Sequence, residues 1–78
     1  MFAYYLLVWM EDSACWWQAD ECEETTLRRA TALLRGRNPR QCRAGRPWAV
    51  VAQGDLAEAL TRRPMLEVYG VLEELAAA

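Results

Sequence analysis

Chemistry in this chain has to be done without histidine and without lysine, since the sequence contains neither. That removes the serine–histidine–aspartate triad, the cysteine–histidine dyad and the HExxH zinc helix, each of which needs an imidazole. It also removes the lysine Schiff base and the phosphate-gripping lysine of a P-loop. Gly36, Gly45, Gly54 and Gly70 are too scattered to cradle a phosphate with successive backbone N–H groups.

The remaining reactive groups are three thiols, eleven carboxylates and nine guanidinium groups. Cys15, Cys22 and Cys42 contain no CxxC pair, and their spacing matches no tight pair of zinc ligands. They read as ordinary thiols, with no metal or cofactor implied. Cys22 is expected near a helix N-terminus, where the dipole favours a thiolate, but the glutamates around it act the other way. The pairs Glu11–Asp12 and Asp20–Glu23 have the chemistry for acid–base work or for holding magnesium. Each pair has a structural task instead, as turn or helix cap, so the chain reads as non-catalytic.

Charge offers more. Net charge is −2 and the sequence pI about 5.0, which argues against a general binder of nucleic acid or anionic membrane. The signs are nonetheless segregated. Glu11, Asp12, Asp20, Glu21, Glu23 and Glu24 come first with no base among them, then Arg28, Arg29, Arg35, Arg37, Arg40, Arg43 and Arg46 with no acid among them. Arg37, Arg40, Arg43 and Arg46 are spaced three apart, so in a polyproline-like chain they would project from one edge. Together with Arg35 they would suit phosphates or a carboxylate-rich protein surface. Every base is arginine, Ile is absent and Ala is frequent, a pattern of GC-rich coding, so arginine over lysine is not itself a sign of bidentate binding.

Four tryptophans stand among the 78 residues. Trp9 is expected to face the core. Trp16 and Trp17 are neighbours, so in a strand they point to opposite faces and one of them is a candidate for exposure. Tryptophan is a frequent anchor of protein interfaces. The expected binding residues are therefore Arg35, Arg37, Arg40, Arg43 and Arg46, with Trp16, Trp17 and Trp48.

The elements that would carry these residues are organised around Phe2 to Met10, a run apolar at odd and even positions alike. Such a strand is normally covered on both faces, so it reads as the centre of a small sheet. Glu11-Asp12-Ser13 supplies a turn, and Ala14 to Ala19 reads as a second strand completing a hairpin. Asp20 and Glu23 resemble a capping box, and Leu27, Ala30, Leu33 and Leu34 recur at helical spacing, which predicts a helix over 21–35 closed by Gly36 at C′. Residues 36–46 form a polar connector. Trp48 to Ala52 predicts a short buried strand, and Asp55 with Glu58 opens a short helix reaching about Arg62 before Pro64. A last strand is expected over 66–71, with a helical tail.

The order ββαβαβ predicts one α+β domain over 1–78, a sandwich of about four strands with helices packed on the sheet. A domain this small buries about 60% of its unfolded surface, which only just offsets the cost of ordering the chain, so a partner or a homodimer interface would matter. The apolar start lacks the basic region and small-residue cleavage site of a signal peptide, and the odd cysteine count fits a reducing compartment, so the expected location is the cytoplasm. The hairpin-plus-helix start, Tyr4 to Leu34, is superficially similar to HicB-type antitoxin domains but lacks their loop between strand and helix, and no family is assigned on it. The expected function is that of a small protein-binding module of the inhibitor, antitoxin or adaptor type, a class that includes phage-encoded inhibitors of bacterial defence such as anti-CRISPR proteins. Its partner would be a protein with an acidic surface. The alternative is a nucleic-acid binder using Arg37 to Arg46 for phosphates and a tryptophan for base stacking.

Overall fold

A computed structural model describes residues 1–43 and 45–64. Its centre is strand β1 (Phe2–Met10), hydrogen-bonded on one side to β2 (Cys15–Glu24) and on the other to β3 (Trp48–Ala52), all antiparallel. Leu6, Leu7 and Val8 are fully buried although successive side chains leave a strand on opposite faces. The two-sided apolar run therefore lies where it was expected, in the interior of the sheet. β3 also has its expected bounds.

The hairpin turn runs through Glu11 to Ala14, and Ala14 takes the left-handed conformation at φ 50 while its N–H donates to the Glu11 carbonyl at 3.3 Å. β2 then continues five residues past the expected end at Ala19. Leu6 pairs with Asp20 and Leu7 with Gln18, so Ala19 is the extra residue of a bulge. The bulge breaks the period of two, and Asp20 to Glu24 are strand residues that look like a helix start.

Helix α1 is accordingly Leu27–Arg37, not 21–35. Thr26 is its N-cap, accepting from the Arg29 N–H at 3.2 Å. Gly36 lies within the last turn, and Asn38 closes the helix: its backbone N–H donates to the Leu34 and Arg35 carbonyls and its Nδ2 to Leu34 at 2.8 Å. Ala30 and Leu34 pack onto Tyr4, Leu6 and Val8 of β1 and Trp48 and Val50 of β3, which form the core beneath the helix.

The connector is neither extended nor polyproline-like. Gln41 and Cys42 donate their N–H groups to the Asn38 carbonyl, folding the chain back in turns, and Gly45 supplies a left-handed residue at φ 90. After β3 a single 3-10 turn, Gln53–Asp55, leads into α2 (Leu56–Thr61). Asp55 sits at the N-cap of α2 but makes no side-chain capping bond. Among the described residues, three antiparallel strands and two helices make this an α+β fold; the strand expected over 66–71 lies outside them.

Candidate protein-binding surface

The fold turns the segregation of charge along the chain into a segregation by element. α1 carries Arg28, Arg29, Arg35 and Arg37 and no acid in eleven residues, and Arg40, Arg43 and Arg46 follow in the connector. The hairpin carries the six acids, four of them on β2.

The arginines do different work. Arg37 grips Asp20 with two nitrogens, Nε to Oδ2 at 3.1 Å and Nη2 to Oδ1 at 2.7 Å, and Nη2 also donates to the Glu21 carbonyl at 2.9 Å. Asn38 Nδ2 adds a bond to Asp20 Oδ2 at 2.8 Å. Burial pulls the Asp20 carboxyl up, but the bonds from Asn38, Arg37 and the Glu21 N–H outweigh it and hold the group below its ordinary value. Arg37 is thus a clamp between the end of α1 and the bulge of β2. The Arg35 guanidinium lies 5.8 Å from the Trp48 ring centre, a cation–π contact. Arg46 directs Nη2 at the Met10 sulfur at 3.3 Å. Arg40 and Arg43 stand exposed in the connector turns and make no ion pair or side-chain hydrogen bond to a described residue.

The same holds for Arg28 and Arg29 at the start of α1, which were not among the expected binding residues. The sequence did place them off the apolar stripe of the helix, but the helix expected there began with Glu21, Glu23 and Glu24, which offered nearby counter-charges. Arg28 and Arg37 stand about 14 Å apart along the helix axis at 1.5 Å per residue. The arginines of α1 are therefore spread along the length of the helix.

The aromatic candidates separate in the same way. Trp48 is buried, at 7% exposure, and belongs to the core. Trp16 lies on the other face of the sheet, edge-on to Trp9 with ring centres 5.3 Å apart, and its Nε1–H donates to the Arg62 carbonyl at 2.6 Å. Trp17, paired with Val8 on the α1 side, is 52% exposed. Met10 pairs with Cys15, two residues from Trp17 on the same face, so Trp17 is a diagonal neighbour of the residue that Arg46 contacts.

Among the described residues no three histidine, cysteine, aspartate or glutamate side chains are grouped as metal ligands. The three cysteines form no disulfide with one another. Cys22 lies in β2, not at a helix start, and burial pushes its thiol above the ordinary value, with Arg37 opposing and Glu24 and Asp20 adding to the shift. An open groove of about 420 Å³ between Phe2, Tyr4 and Gln53 is lined mainly by apolar carbon. No helix of the described residues is long and apolar enough to cross a membrane. Compared with known proteins, the chain matches no family model, no curated protein and no solved structure.

Proposed function

We propose that this chain is a small non-catalytic protein-binding module of the inhibitor, antitoxin or adaptor type, working in the cytoplasm and recognising an acidic protein surface through its basic layer. The observation that supports this is that Arg28, Arg29, Arg40 and Arg43 stand exposed without an ion pair to a described residue, although the same chain has six acids in its hairpin. Guanidinium groups held on a rigid helix and its following turn suit carboxylates of a fixed partner surface, and a field of one sign steers association.

A polyanionic nucleic acid meets a different balance. The acids of β2 lie beside the basic layer, and the net charge is −2, so a long phosphate backbone would be repelled over much of the molecule. Titration of DNA and RNA binding against salt tests the reading. It expects no measurable salt-dependent binding by the wild-type chain. A log–log slope of about −0.7 to −0.9 per phosphate, falling by about one such unit for each arginine removed, would overturn it in favour of nucleic acid.

A further inference from the structure

Among the described residues β2 is an outer strand of the sheet, and β1 fixes which of its backbone groups point outward. The Trp9 N–H donates at 3.0 Å to the carbonyl of Pro47, just ahead of β3. By the period of two, Trp9, Leu7 and Tyr5 therefore turn their backbone groups toward β3. Glu21, the partner of Tyr5 on β2, turns its own N–H and C=O away from β1, to the side where a further strand would pair.

Both groups are already taken. The Glu21 N–H donates to Asp20 Oδ1 at 2.8 Å, and the Glu21 carbonyl accepts from Arg37 Nη2 at 2.9 Å. The same Nη2 donates to Asp20 Oδ1 at 2.7 Å, which closes a ring of bonds on the edge. Carboxylate and guanidinium thus supply the acceptor and the donor that a neighbouring strand would otherwise offer. Arg37 Nε and Asn38 Nδ2 hold the other carboxylate oxygen, Oδ2, from the end of α1.

The bulge makes this arrangement possible. With Ala19 as the extra residue, Asp20 pairs with Leu6, whose side chain lies in the core beneath α1, so Asp20 faces the helix end that carries Arg37. Without the bulge Asp20 would pair with Tyr5 and point to the opposite face. Just before it, Cys15 to Ala19 carries no charge and includes two tryptophans, a composition that on an outer strand favours pairing with other chains.

From this geometry we propose that the Asp20–Arg37 pair is an edge plug: it occupies the outward backbone of Glu21, so that β2 does not take up a strand from a second copy of this chain. This goes beyond the binding function above, and withholds Arg37 from it.

Removing the plug at constant net charge tests it. Asp20→Ala/Arg37→Ala deletes both groups, and at high micromolar concentration its sedimentation should give at least twice the mass that the wild-type chain shows at the same concentration. Amide exchange shows where the copies meet. The Glu21 N–H of the double variant should exchange roughly tenfold more slowly at high than at low concentration, as a strand covers it. Asn38→Ala is the control for lost stability, since it gives up its bonds to Asp20 and to the Leu34 carbonyl but leaves both Glu21 groups occupied. It should melt lower than wild type and keep the wild-type mass. Where the double variant does not fold, Arg37→Met, which keeps an unbranched stem and frees the Glu21 carbonyl, takes its place with the same expected rise in mass. A folded plug variant of wild-type mass overturns the proposal. So does equal association of Asn38→Ala, or association that leaves the Glu21 amide exchanging as fast as before.

Discussion

Ala14 and Asp20 show how single residues set the joints of this fold. Ala14 holds φ 50 at the hairpin turn, a conformation in which its Cβ is crowded and which glycine adopts without that cost. Ala14→Gly should therefore raise stability by up to about 1 kcal/mol, the relief of strain being partly offset by the greater freedom of glycine in the unfolded chain. Chemical denaturation reads this as a higher midpoint at unchanged slope. Asp20 receives the Arg37 and Asn38 bonds, and its folded-state carboxyl titrates below the ordinary value of 3.8. The sign follows from linkage: the clamp stabilises above that value and is lost as pH falls through the lower folded one. Melting temperature should fall more steeply for wild type than for Asp20→Asn below about pH 4, with the variant the less stable of the two near neutrality.

At the scale of elements, legibility followed how much of each segment is buried. β1 and β3 were readable to the residue because Phe2–Met10 and Trp48–Ala52 are runs of apolar side chains, and burial is what such runs encode. The second half of β2 was hidden. On an outer strand polar side chains are tolerated on both faces, so Asp20, Glu21, Glu23 and Glu24 show no alternation, and the bulge removes what periodicity is left. Spaced three apart, Asp20 and Glu23 then mimic a capping box, while Thr26, the cap in fact used, lies beside the equally suitable Thr25. Gly36 misled for a related reason: the side chain of Asn38 satisfies the helix end, leaving no need for glycine outside it. Leu6 and Leu7 are the pair on which the two-sided sheet depends, both fully buried and on opposite faces. Leu6→Ala and Leu7→Ala should each cost about 2–5 kcal/mol, enough to unfold a domain of marginal stability. A melt within a degree or two of wild type for either would mean that its face is not packed.

For the molecule as a whole, the candidate site was legible in kind but not in place. The seven-arginine run was visible, as was the chance that one of Trp16 and Trp17 lay outside. Which arginines remain available depends on contacts between distant residues: Arg37 meets Asp20 across seventeen positions and Arg46 meets Met10 across thirty-six, and no local pattern records either meeting. Trp48 likewise reads as an aromatic candidate in sequence and is core in space. The basic layer is thus best defined by Arg28, Arg29, Arg40 and Arg43, and its recognition of an acidic protein is the central claim. The most direct measurement compares capture from nuclease-treated host extract by the wild-type chain and by the variant with these four arginines replaced by glutamate. Thermal melting is followed in parallel, and should be nearly unchanged because all four side chains are exposed. The expected result is a discrete acidic protein retained by wild type after nuclease treatment and lost by the folded variant, chiefly through slower association. Retention of the same protein by both chains, or its loss from wild type once nucleic acid is digested, would contradict the claim.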